Sequence, residues 1–282
     1  MKNIISNNLD QDNENIWDAY WQHQWQLPEQ DEAMNYFLSI ILEKNYRLSK
    51  NKTIESALEL GGGSGRASRY LNNMGAETGI LDNSTEAIAY CKYINQDVPH
   101  PVTFYEYDLF DIDYNKIKKD YNLCWNAGVI EHFSPDLQLK MIEVMGNIID
   151  FDGMIVIFTP YSRCVFYRIG KWILEKLNRF PYGDEIPTKS LKHVIPSNMR
   201  LIEKEISVGF VILLFNGFKA LSYLPQLGKI GIQLNQLINY FFYFCLSKQI
   251  SRDIILGFDF LLSKIFGGYL LMTSIEKVKS NS

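Results

Sequence analysis

From Thr53 onward, apolar runs of strand length alternate with stretches whose apolar residues recur every three or four positions. Ile54, Ala57, Leu58 and Leu60 make a short buried strand over 54–60, and Ala67, Tyr70, Leu71 and Met74 follow at helical spacing over about 65–74. The same reading predicts strands at 77–81, 102–107, 121–126 and 153–159. Between them it predicts helices at 84–95 and 136–150 and a helix or loop at 113–119. This alternation specifies a mostly parallel sheet with helices on both faces.

Upstream, Met34, Phe37, Leu38, Ile41 and Leu42 predict a helix ending near Lys44. Before it, Trp17, Tyr20, Trp21 and Trp25 put most of their rings on one face of a short helix. That face either packs the helix onto the domain or forms a lid over a flat ligand, and the two roles are compatible. The first 15 residues are rich in Asn and Asp with little to bury, which predicts disorder.

Downstream, Pro160, Pro181, Pro187 and Pro196 punctuate a helix at about 164–178 and a loop around 181–184. This piece, 161–198, is placed over the end of the fifth strand, where a substrate would be gripped. Leu201, Ile202, Ile206 and Val208 predict one further strand over 199–208, and 269–278 the last one. Between them, 209–268 is strongly apolar, with helical spacing at Leu234, Leu237, Ile238, Phe241 and Cys245 and again at Ile254, Ile255, Phe258, Leu261, Leu262 and Ile265. A spanning helix needs roughly 20 predominantly apolar residues. Asn216 and Lys219, the Gln and Asn residues at 233–239, and Asp259 and Lys264 interrupt each run, so no span is expected. What remains is a hydrophobic subdomain covering the site, or a surface that touches membrane or a lipid-like substrate.

Composition narrows the classes. A net charge of −4 argues against a nucleic-acid partner, which needs an excess of Lys and Arg to neutralise phosphates. Cys91, Cys124, Cys164 and Cys245 lie far apart and form no CxxC pair, so reduced, buried thiols are expected rather than a disulfide frame or zinc site. With no signal-peptide core at the start, a cytoplasmic protein is expected, with membrane association possible only through 209–268.

Chemistry concentrates at the ends of the predicted strands. Gly61, Gly62, Gly63 and Gly65 form a strand–turn–helix loop that brings backbone N–H groups and a positive helix end to a ligand. Glu59, Asp82, Asp108 and Asn126 stand at or just after the ends of the first four strands, the edge at which such sheets bind ligands. A dinucleotide fingerprint requires a small third residue, but the chain has Arg66 or Ser68 there, depending on the starting glycine. A dinucleotide is therefore not expected.

The segment Glu59-Leu60-Gly61-Gly62-Gly63-Ser64-Gly65 resembles the first motif of the class I S-adenosylmethionine-dependent methyltransferases. Residues 78–88 with Asp82, 104–109 with Asp108, 121–133 ending in Val129-Ile130-Glu131-His132-Phe133, and the Phe151-Asp152-Gly153 turn into Thr159-Pro160 resemble the next four, in order. Together they cover roughly 53–160, and the likeness extends loosely through 161–208. The resemblance implies a seven-stranded, Rossmann-like sheet with an N-terminal helical lid and a helical insertion before the last strand. In these terms the chain divides into a disordered start (1–15), a lid (16–52) and an S-adenosylmethionine-binding core (53–208, with a substrate-side insertion at 161–198). A hydrophobic helical cap (209–268) and the last strand with its tail (269–282) follow.

The resemblance also implies roles. Gly61, Gly63 and Gly65 would let the backbone approach the cofactor, and Glu59 would act near its ammonium. Asp82, with Asn83 beside it, would accept from the ribose hydroxyls, and Asp108 with the Leu109 backbone would meet the adenine. Asn126 and Ala127 would offer carbonyls to the ammonium, while Trp17, Tyr20 and Trp21 would cover the substrate. His132 is the candidate general base, with bracing of its loop by the Glu131-His132 pair as the alternative; His193 and His23 are weaker candidates. Some relatives bind a metal through a Glu three residues before this pair; here that position is Gly128, so no metal is expected. The function expected is methyl transfer to a small apolar or aromatic molecule. The alternatives are a lipid or quinone acceptor at a membrane surface and a non-catalytic cofactor-binding fold.

Overall fold

A computed structural model of the chain describes Asp18, Trp21, residues 32–118, 120–178, Phe180, 185–213 and 228–278. Trp17, Tyr20, Trp25, His23, the loop at 181–184 and most of the apolar run after Phe210 lie outside the described residues.

Eight strands make one sheet: β1 (Ser56–Leu60), β2 (Glu77–Asp82), β3 (Val102–Glu106), β4 (Tyr121–Ala127), β5 (Ile149–Pro160), β6 (Met199–Leu201), β7 (Ile206–Val208) and β8 (Leu270–Lys277). They are ordered β3-β2-β1-β4-β5-β8-β6, with β7 also on β8. The first five run parallel, and β8 is antiparallel to β5, β6 and β7. The chain builds outward from β1 to β3 and then returns to the other side of β1, so the order reverses between β1 and β4. Crevices at such reversals are where open α/β sheets bind ligands.

Period-2 alternation divides the sheet's side chains between two cores. Ala57, Leu123, Trp125, Met154, Val156 and Phe158 face the side covered by α1 (Glu32–Lys50), α2 (Arg66–Asn73), α6 (Gly228–Ser247) and α7 (Gln249–Phe266). Leu58, Leu60, Cys124, Ile155 and Ile157 face α4 (Pro135–Ile148) on the other side. Beyond these, α3 (Thr85–Ile94) packs on β2 and β3, and α5 (Val165–Lys176) follows β5.

Two expectations need correction. The single strand expected over 199–208 is two, which makes eight strands rather than seven. Four residues lie between Leu201 and Ile206, where two lie between their partners Ile275 and Met272 on β8. The extra length turns Glu205 inward, where its carboxylate accepts from Ser190 Oγ (2.5 Å), Leu191 N (2.7 Å) and Thr273 Oγ1 (3.1 Å). The first helix also runs past Lys44 to Lys50, because its polar end is tied to β8. Asn45 Nδ2 donates to Ser274 Oγ at 2.8 Å, and Lys50 meets Glu276 at 2.8 Å. The 113–119 segment forms turns rather than a helix over its described residues.

Candidate active site

β1 is buried along its whole length and ends against the glycine turn. Gly61, Gly63 and Gly65 have φ of 61°, 49° and 61°, a left-handed conformation that L side chains rarely adopt. Space also demands them. A Cβ on Gly61 would lie 2.5 Å from Val129 Cγ2, and one on Gly63 2.3 Å from Trp21 Cζ2. The first contact holds the glycine turn against the loop after β4, across the reversal of strand order. The turn is closed by Gly65 N donating to Gly62 O (2.7 Å) and tied to β2 by Gly62 N donating to Leu81 O (3.1 Å).

Asp82, at the end of β2, is buried and points back at this turn. One carboxylate oxygen accepts from Gly63 N at 2.9 Å and the other from Ser84 N at 3.0 Å. Burial pushes its pKa up, opposed by these backbone N–H groups and that of Asn83. With three backbone N–H donors on its two oxygens, one of the four lone-pair sites remains for a further donor. Asn83 itself is exposed beside it. Ser84 caps α3, accepting from Ala87 N at 3.1 Å, and donates to Asp18 Oδ1 at 2.5 Å. Asp18 and Trp21 therefore both rest on the glycine turn and its neighbour, where a lid is expected.

Glu59 lies beneath the turn, buried, with Ser68 Oγ donating to it at 2.6 Å. Burial raises its pKa to about 8 against the Ser68 hydrogen bonds, with the Asp82 charge adding to the rise. Asn126 is fully buried in β4. Its Nδ2 faces the sulfurs of Met141 (4.0 Å) and Met145 (3.8 Å) and its Oδ1 has no partner among the described residues. The side chain thus turns toward α4, and only the backbone of Asn126 and Ala127 remains for a ligand. Asp108 is exposed and accepts from Phe110 N at 2.6 Å. It stands at the same edge, because its neighbour Tyr107 donates from N to Asp82 O at 3.2 Å. Leu109 is half-buried against the α4-side core. His132 is half-buried in the 3₁₀ turn Ile130–His132 after β4, three residues beyond Val129.

One group of residues escaped the sequence reading. Ile186 N donates to Glu131 O (3.2 Å) and Thr188 N to Pro160 O (2.9 Å), so 186–188 straps the ends of β4 and β5. This brings Glu185 near Glu131, with Tyr167 of α5 donating to Glu185. Glu131 is 2% exposed, and its Oε2 has no partner among the described residues. Burial raises its pKa to about 8, helped by Glu185 and opposed by its own backbone N–H and by Thr159. Burial also pushes up the pKa of Glu185, against Tyr167 and Lys171. Glu185 lies 54 positions from Glu131 in the sequence, within a proline-rich stretch. No local pattern connects the two.

These residues fit the cofactor implied by the motifs: a bare glycine cradle, a caged carboxylate with acceptor capacity left, and the backbone of Asn126 and Ala127 at the same strand edge. The sheet is the Rossmann-like one that the motifs led us to expect. A family model described as tellurite resistance protein TehB matches residues 43–163, which span the glycine turn and all five motifs. Among solved structures, the plantazolicin methyltransferase BpumL in complex with SAH superposes with a TM-score of 0.56 at 12% identity, covering 93% of this chain and 89% of that one. BpumL in complex with a monoazolic desmethylPZN analog and SAH gives 0.56 at 13% identity with the same coverage. At this identity the likeness is one of fold. No curated protein sequence matches the chain.

Proposed function

We propose that the chain is an S-adenosylmethionine-dependent methyltransferase acting on a small, apolar or aromatic acceptor. The observation that carries this is the caging of Asp82 by the N–H of left-handed Gly63 at the reversal point between β1 and β4. When bound, S-adenosylmethionine supplies a methyl group on a sulfonium, open to in-line displacement. Gly61, Gly63 and Gly65 hold the cofactor's amino-acid part against bare backbone, and Asp82, with Asn83 alongside, takes the ribose hydroxyls. Asp108 and the Leu109 backbone meet the adenine. Glu59 and the carbonyls of Asn126 and Ala127 draw the ammonium. The chain's own contribution to rate is alignment and exclusion of water, under a lid that includes Trp17, Tyr20 and Trp21. For a hydroxyl or amine acceptor, His132 takes the proton, with Glu131 bracing its loop.

A small organic acceptor is supported by the fold neighbour crystallised with a monoazolic desmethylPZN analog. The test is a turnover screen that follows S-adenosylhomocysteine release against phenols, amines, sugars and lipids. Release with a small apolar or aromatic acceptor, lost in Asp82→Ala, is the expected result. Tight cofactor binding without turnover on any acceptor would favour a non-catalytic cofactor-binding fold instead.

A further inference from the structure

Helices α6 and α7 are apolar on their outward as well as their inward sides. On the side facing the domain, Leu246 and Leu256 enter the core with Ile238, Phe242, Tyr243 and Ile255 against it, and the polar Asn235 and Asn239 of α6 and Asp259 and Ser263 of α7 are buried beside them. Their opposite sides carry Leu237, Tyr240, Phe241 and Phe244 on α6 and Phe258, Leu261 and Ile265 on α7, all between 52% and 72% exposed. The orientation of α7 is fixed by specific bonds. Asp259 accepts from Gly209 N (2.8 Å) and Val211 N (2.9 Å), and Ser263 Oγ accepts from Phe210 N (3.1 Å). Rotating the helix to bury its apolar face would leave those N–H groups unpaired, so the outward apolar face is built in.

The face continues onto α5, which buries none of its residues and exposes Val165, Phe166, Ile169 and Trp172. Phe210 bridges the two helices, 6.1 Å from Phe166 and 5.8 Å from Phe266 between ring centroids. An apolar surface of three helices exceeds what a soluble monomer ordinarily leaves bare. Its charges select the cover. Residues 163–177 and 228–268 carry eight basic side chains against three acidic ones; Lys171 is paired with Glu175 at 2.6 Å and Asp259 is buried, which leaves seven basic side chains against Asp253 in a chain of net charge −4. A second copy would bring the same positive charge and repel. A bilayer with anionic headgroups satisfies both features: aromatic and branched side chains enter the headgroup–acyl boundary while Lys and Arg reach the lipid phosphates. No helix among the described residues is long and apolar enough to cross a membrane, so the helices lie in the interface plane.

We propose that the outward faces of α5, α6 and α7 dock this protein on anionic membrane surfaces. This stands whether or not the methyltransferase reading does, since it uses none of the site residues. The test is flotation of the full chain with phosphatidylcholine vesicles, with and without about 30% phosphatidylglycerol. Recovery is expected with the anionic vesicles, falling as salt rises. The variant Phe241→Ser/Phe258→Ser/Leu261→Ser should lower recovery roughly tenfold. A second variant, Lys248→Glu/Arg252→Glu/Lys264→Glu, reverses three charges while keeping the apolar face and should remove the preference for phosphatidylglycerol. Absence of flotation from both vesicle types overturns the proposal. So does undiminished recovery of the charge variant, or a stable dimer in sedimentation equilibrium that the Phe241 variant dissociates.

Discussion

Asp82 illustrates how much one carboxylate is asked to do. Its two oxygens satisfy two backbone N–H groups on opposite sides, one in the glycine turn and one at the start of α3. Asp82→Ala should weaken cofactor binding roughly ten- to hundredfold, the loss of a charge-assisted pair of hydrogen bonds. Calorimetric titration of the folded variant measures it, and unchanged affinity would refute the assignment. Glu59 offers an independent check. Its carboxyl, raised by burial to about 8, is largely protonated at pH 7, whereas an ammonium nearby favours the ionised form. Cofactor binding at pH 7 should therefore expel a proton from Glu59. Titration in buffers of different ionisation enthalpy reads that proton, and Glu59→Gln should abolish its release. If the variant and the parent release equal amounts, Glu59 does not face the ammonium.

At the scale of elements, α7 is held to the sheet by Asp259. Asp259→Ala leaves the buried N–H groups of Gly209 and Val211 without their acceptor, and should cost about 2–4 kcal/mol. Denaturant unfolding measures it; a change within experimental error would mean that α7 is held by its packing alone. The helix itself was legible, since Ile254, Phe258, Leu261 and Ile265 recur at helical spacing. Which way its stripe faces was not, because periodicity marks an apolar side without saying what covers it. The same limit explains the strands. β1 to β5 each rest on a local apolar run and were readable. The break between β6 and β7 was hidden, because Leu201, Ile202, Ile206 and Val208 look continuous until Glu205 is seen reaching Ser190 and Thr273. In the site, Glu59, the glycines, Asp82, Asp108 and Asn126 were visible because each sits beside its own strand end. Glu185 and Tyr167 join Glu131 only through the strap over β5.

Over the whole molecule, five buried carboxyls share one sign: Glu59, Asp82, Glu131, Glu185 and Asp259 are all pushed above their ordinary pKa, chiefly by burial. Two exposed or half-buried carboxyls are shifted the other way, Glu276 between Lys50 and Arg200 and Glu77 beside Lys118, and both lie away from the buried set. A carboxyl whose pKa is higher in the folded state binds its proton more tightly there than in the unfolded chain. Between about 4.5 and 8, the range set by Glu59 and Glu131, the unfolded chain has released protons that the folded protein keeps. Stability contributed by these groups is thus complete below the unfolded pKa and falls as pH rises through that window. The protein should be more stable at pH 5.5 than at pH 8, the reverse of one held by salt-bridged carboxylates. Urea midpoints across this range test it. Glu131→Gln, which keeps the shape and removes the titration, should flatten the decline. A midpoint that is level or rises with pH in the parent would show that these carboxyls are ionised in the folded state, and that their surroundings are wetter than their burial implies.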